Sequence, residues 1–179
     1  MTERMLICYG TRYGTTTSIV EEIKDTAQGL SVQVDVFNLE EDQPTDDISA
    51  YDLVVIGSGI QAGRWTKEPL RFIEDNLDAL STTKTALFVV CGDAGDPDRC
   101  EIAQEEYLDK IALSYPGLNP ISTGLFGGLF DFSKYNRVVG FLVKRIVKSR
   151  QESDEEVPER IDFRDWDQIR NWTRSILEH

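Results

Sequence analysis

At 179 residues, 40% hydrophobic and 9% aromatic, the chain is long enough for one well-buried domain, too short for two independent cores, and too apolar for disorder. A formal charge of −13 excludes non-specific nucleic-acid binding, which needs a basic surface to hold phosphates. Three cysteines without metal-type spacing (Cys8, Cys91, Cys100) and one histidine, His179, argue against a disulfide framework, a metal site and a Ser-His-Asp triad.

Leu177-Glu178-His179 reads as the start of an expression-tag scar, which sets even that histidine aside. No apolar run approaches the roughly 20 residues that span a bilayer. The N-terminus enters an apolar strand at once, leaving no room for a signal peptide, and the expected location is cytoplasmic. Chemistry must therefore come from a cofactor or from carboxylates, hydroxyls and thiols.

Strands and helices alternate along the chain, the pattern of a parallel sheet covered on both faces. Met5–Tyr9 forms a first buried strand, and Ile19, Val20, Ile23, Ala27 and Leu30 then recur at helical spacing. Val32, Val34 and Val36 alternate as a second strand. The acidic stretch Glu40–Asp47 is a solvated connection to a third, Leu53–Ile56, uniformly apolar as strands buried on both faces are. Thr66 is placed to cap a helix carrying Leu70, Phe72, Ile73, Leu77 and Leu80. Ala86–Val90 is a fourth strand. Asp96-Pro97 has the cap-then-proline form that opens a helix bearing Ile102, Ala103, Leu108 and Ile111. A weaker fifth strand runs over Ile121–Phe126. Phe163, Trp166, Ile169, Trp172 and Ile176 make one last helical stripe, its tryptophans serving as core anchors. Right-handed crossovers favour the strand order 2-1-3-4-5, in which the loops after strands 1 and 3 frame a crevice beside the loop after strand 4.

The loop after strand 1, Gly10-Thr11-Arg12-Tyr13-Gly14-Thr15-Thr16-Thr17, leads straight into a helix. Backbone N–H groups in a first helical turn lack intrahelical partners, and the helix dipole is positive there. Glycine lets the chain approach an anion and threonine hydroxyls add donors, so this loop reads as a phosphate nest. It lacks the lysine of a Walker A loop and the GxGxxG dinucleotide fingerprint. The plain alternative is a threonine-rich cap with no ligand.

Thr11-Arg12-Tyr13-Gly14-Thr15-Thr16, directly after a first strand, resembles the T-x-x-G-x-T motif that holds the FMN phosphate in flavodoxins. The resemblance implies a flavodoxin-like three-layer sandwich on a five-stranded parallel sheet. It places FMN phosphate among Thr11, Gly14, Thr15 and Thr16 with the backbone at Arg12 and Tyr13, Arg12 adding positive charge. The loop after strand 3, which includes Ser58, Gly59, Ile60, Gln61, Ala62 and Gly63, would cover the inner face of the flavin ring. Its glycines accept the positive φ that a peptide flip at flavin N5 requires. Cys91, Gly92, Asp93, Ala94 and Gly95, after strand 4, match the third cofactor loop. No side chain is assigned a catalytic role, since flavin N5 would carry the chemistry. The sequence departs from the pattern at the ring. Gln61 stands near the usual tryptophan position, Trp65 comes several residues late, and the third loop has no tyrosine. A very low reduction potential is therefore not carried over.

Between Ser133 and Arg150 lie six basic residues and no acidic one, so the rest of the chain carries −19. Interleaved Val138, Val139, Phe141, Leu142, Val143, Ile146 and Val147 make this a basic amphipathic helix within an insertion at about 127–160, near the fifth strand. Just before it, Phe126, Phe130, Phe132 and Tyr135 are placed to form an aromatic lid beside the flavin. Gly57-Ser58-Gly59-Ile60 with Gly63, this basic segment and the late Asp165-Trp166 helix are similar to the bacterial, quinone-linked, flavodoxin-like protoporphyrinogen oxidases. That resemblance implies an FMN-dependent oxidoreductase passing electrons to a quinone, with peripheral membrane contact through Lys134–Arg150. A simpler expectation is an electron-transfer flavodoxin with a redox partner protein, and a flavin-free interaction module is the alternative. Phosphoacceptor signalling is set aside, because that use of the fold needs acidic residues where this chain has Tyr9-Gly10 and Gly57-Ser58.

Overall fold

A computed structural model of the chain describes residues 2–131, 133, 140–141, 144–145, 148 and 159–179. Five strands run parallel: β1 (Arg4–Gly10), β2 (Gln33–Asn38), β3 (Leu53–Gln61), β5 (Lys84–Cys91) and β6 (Ser122–Gly127). They are ordered β2-β1-β3-β5-β6, with Ile7 beside Val36 and Val55, Val55 beside Ala86, and Val89 beside Leu125. Counting parallel strands alone, this is the expected 2-1-3-4-5. A sixth, two-residue strand, β4 (Arg64–Trp65), pairs antiparallel with the end of β3.

Side-chain alternation divides each central strand between two helical layers. Met5, Ile7, Leu53, Val55, Ala86 and Phe88 pack under α1 (Thr15–Gly29) and the C-terminal α6 (Trp166–Glu178), against Ile19, Ile23, Ile169 and Ile176. Leu6, Cys8, Val54, Ile56, Leu87 and Val89 face the other way, under α2 (Lys67–Asp75), α3 (Leu77–Leu80) and a helical run over 100–114. Each fully buried Val, Leu, Ile, Phe or Met side chain among them contributes about 1.5–3 kcal/mol. Trp172 is a core anchor as expected, meeting Phe126 edge-on at 5.4 Å between ring centres.

Several local readings give way to tertiary context. The predicted single helix after Thr66 breaks at Asn76, whose φ of −122° is not helical. Thr66 stands at the cap position, but its hydroxyl contacts Ser58 Oγ instead of capping α2. Asp96 closes a turn, accepting from Asp98 N, and the helix begins only at α4 (Cys100–Gln104), passing through a π turn (Glu105–Asp109) into α5 (Lys110–Ser114). Leu30 lies beyond α1 and is exposed, and Phe163 lies before α6. Phe126 is core, not lid. Phe132, Tyr135 and most of the basic segment lie outside the described residues; of that segment, 140–141, 144–145 and 148 are helical. A short ribbon of β7 (Leu129–Asp131) with β8 (Arg160–Asp162) pairs the two ends of the insertion.

Among the described residues, no helix is long and apolar enough to cross a membrane, and no group of side chains is placed to hold a metal ion.

Candidate functional site

β1 connects to β2 on one side while β3 connects to β5 on the other, so the carboxyl ends of β1 and β3 diverge at the switch point where open sheets bind ligands. A cleft open to solvent lies there, lined by Thr11, Arg12, Tyr13, Thr15, Thr16, Gly59, Ile60, Gln61, Val90, Cys91, Gly92, Gly128 and Leu129.

The first wall is the β1–α1 loop. Thr11 Oγ1 accepts a hydrogen bond from Gly14 N at 3.1 Å, which tightens the loop and leaves the threonine's own hydrogen to donate. Gly14, with φ of 82°, is the N-cap of α1, a conformation glycine adopts without strain. It offers no capping side chain, and the first turn holds no acidic residue. The positive end of a 15-residue helix therefore opens onto the cleft with its N–H groups uncapped by any side chain. This donor set suits a phosphoryl group.

The second wall corrects the loop reading of Ser58–Gln61, which are the last residues of β3. Gly59 lets that strand end nestle against α1, because a Cβ there would stand 2.9 Å from Thr16 Oγ1. Ser58 is fully buried and turned from the cleft, accepting from Thr66 N at 2.9 Å. Beyond Gln61 the chain makes a two-residue hairpin, Ala62 (φ 49°) and Gly63 (φ 74°), the doubly positive turn that matches strand twist. These two residues lie outside the cleft lining. Gln61 Nε2 donates to Tyr13 Oη at 3.1 Å, joining the first two walls. Trp65 is buried, with Nε1 donating to Tyr107 O at 2.6 Å, and does not line the cleft.

From β5, Cys91 and Gly92 reach the cleft. Asp93, Ala94 and Gly95 form a 3₁₀ turn beside it, with Asp93 paired to Arg99 at 2.9 Å. Burial pushes the Cys91 thiol up to about 11, so it stays protonated at neutral pH. Arg12 is exposed, and its field opposes the burial and the Glu68 charge that raise Glu40 above the ordinary carboxylate range.

Sequence reasoning missed Val90, Gly128 and Leu129. Leu129 belongs to the insertion, and its carbonyl is tied to the cleft by a hydrogen bond from Thr15, 114 residues earlier.

A family model described as a flavodoxin domain matches residues 6–156. Among solved structures, the chain resembles oxidised flavodoxin 1 from Bacillus cereus, with a TM-score of 0.56 and 11% identity over 99% of both chains. It also resembles a flavoprotein in complex with FMN from Lactobacillus acidophilus NCFM, with a TM-score of 0.52 and 15% identity over 69% of this chain and 93% of that one. Two-electron reduced flavodoxin from Megasphaera elsdenii aligns over 68% of this chain and 84% of its own, with a TM-score of 0.50 and 20% identity. At these identities the likenesses establish the fold alone. No curated protein sequence matches the chain.

Proposed function

Because the chain belongs to the flavodoxin domain family, we propose that it binds FMN at the carboxyl ends of β1, β3 and β5 and serves in electron transfer. The observation that carries this reading is the open, uncapped N-terminus of α1, facing the same cleft as Gly59–Gln61 and Cys91–Gly92. The FMN complex of the Lactobacillus neighbour supports the same cofactor.

Bound FMN supplies reversible one- and two-electron chemistry. The N–H groups of Arg12, Tyr13, Thr15 and Thr16, with the Thr11 and Thr16 hydroxyls, would hold the phosphate, Gly14 N–H being taken up by Thr11 Oγ1. Gly59, Ile60 and Gln61 wall the ring on one side, and Cys91 and Gly92 border it on another. Ala62 and Gly63 hold the β3 end in place through their turn, while Asp93–Gly95 brace the β5 loop. The protonated Cys91 thiol adds no negative charge beside an electron-rich ring. Tyr13 is the aromatic side chain lining the cleft among the described residues. Trp65 being held in the core, stacking on the ring is lighter than with an aromatic on each side, which favours a moderate potential.

The finer reading is oxidation of protoporphyrinogen with a quinone acceptor, in the cytoplasm at the inner face of the membrane. It draws on the sequence resemblance and on the basic segment Lys134–Arg150 in an otherwise acidic chain. A redox partner protein is the other acceptor class.

The test is an absorbance spectrum before and after adding FMN and removing the excess. Flavin bands persisting at near one equivalent support the reading. A protein that takes up no FMN is a flavin-free module and sinks it. For the finer reading, anaerobic protoporphyrinogen turnover with quinone in liposomes should fall on deleting Lys134–Arg150 while FMN stays bound; full activity in the deletion removes the membrane role.

A further inference from the structure

Thr15 opens α1 at the cleft, yet its hydroxyl is spent elsewhere: Oγ1 donates to the Leu129 carbonyl at 3.1 Å. The same stretch is pinned from its other side. Phe163 N donates to Gly128 O at 3.0 Å. A Cβ on Gly127 would stand 2.0 Å from the Phe163 carbonyl oxygen, so the chain entering β7 runs flush against the chain leaving β8. A Cβ on Gly128 would meet Val90 Cγ1 at 3.4 Å and Thr15 Cγ2 at 3.8 Å. The root of the insertion thus closes over both the end of β5 and the start of α1, and it lines the cleft.

A threonine hydroxyl has one hydrogen to donate. While it binds Leu129 O it cannot also donate to a phosphate oxygen. Resting on the FMN reading above, we propose that Gly128 and Leu129 form a third wall of the cofactor site. They contact the part of FMN that riboflavin shares, and the Thr15 side chain is the positioning group that holds this wall, its hydroxyl not a phosphate donor.

The two roles separate by comparing dissociation constants for FMN and riboflavin, measured by flavin fluorescence alongside Tm. Thr15→Val keeps the branched shape and removes the O–H; Thr15→Ser keeps the O–H. Loss of the tether should weaken both flavins by about fivefold, leaving their affinity ratio at the wild-type value, and Thr15→Ser should restore both to within about twofold. Leu129→Ala keeps the carbonyl and removes the side chain. It should weaken both flavins and change the visible circular dichroism of bound FMN. If Thr15→Val weakens FMN alone, Thr15 is a phosphate ligand and the proposal falls. It falls too if neither constant moves. Should Thr15→Val fail to fold, Leu129→Ala decides, and unchanged affinities there overturn the wall. A wild-type protein that takes up neither flavin overturns the FMN reading itself, before any variant is compared.

Discussion

Thr11, Thr15 and Thr16 are chemically alike but spend their hydroxyls differently. Thr11 closes its own loop and Thr15 reaches the insertion, while Thr16 is buried with its Oγ1 packed against Gly59. Thr16→Ala should therefore weaken FMN by about tenfold, the scale of a hydrogen bond to a charged group, and leave riboflavin nearly unchanged. Equal losses for both ligands in fluorescence titrations would detach Thr16 from the phosphate. Ser58 is a structural counterpart on the other side of β3. Its Oγ takes the Thr66 N–H at the head of α2 and contacts Thr66 Oγ1, all of it buried. Ser58→Ala leaves that N–H without its acceptor and should cost about 1–3 kcal/mol in urea unfolding. A loss below measurement error would mean that another group satisfies Thr66.

At the scale of elements, the hairpin after β3 carries an alanine where a left-handed residue is needed. Ala62→Asn would give the Asn-Gly pair that such turns prefer, and should raise stability by about 0.5 kcal/mol or more. A lower Tm would show that the alanine makes a contact the turn geometry does not reveal. This turn also marks where sequence reading stops short. The five parallel strands were legible because strands buried on both faces leave continuous apolar runs, as in Leu53–Ile56 and Ala86–Val90. β3 runs five residues further through Gly57-Ser58-Gly59-Ile60-Gln61, where Gly57-Ser58-Gly59 carries no hydrophobic signal and pairing with β1, β5 and β4 keeps the strand extended. The phosphate loop was legible because its threonines and glycines lie in one local run. Gly128 and Leu129 were not, since their place in the cleft depends on contacts with Thr15, Val90 and Phe163, all distant in sequence. Asn76 breaks a helix that periodicity carries straight through.

Across the whole molecule, carboxylates tie down the edges of the fold. Asp52 accepts from the backbone N–H groups of Glu3 and Arg4, both at 2.9 Å, which holds its carboxyl below the ordinary range. Asp162 is lowered by its hydrogen bond from Arg164, at the end of β8. A group whose folded pKa is depressed stabilises fully above its unfolded value of about 4, and that contribution disappears as pH falls through the folded value. Glu40, raised by burial, works in the opposite sense. Tm should therefore drop below about pH 4, and Asp52→Asn should flatten that acid limb while lowering Tm at neutral pH. An unchanged acid limb in circular dichroism melts would assign the acid loss to other groups.

The β7–β8 ribbon sets Asp131 opposite Arg160, so the two ends of the segment 132–159 are joined at one antiparallel pair. Closure of an excursion whose ends are already joined depends only weakly on its length, about 0.6 kcal/mol for each doubling. The ribbon therefore works as a socket. Residues 132–159 can be shortened, lengthened or exchanged for a foreign module while β1–β6 and α6 keep their core, and grafts of graded length should show nearly constant Tm. In evolutionary terms, the redox core and whatever it plugs into are free to change at different rates.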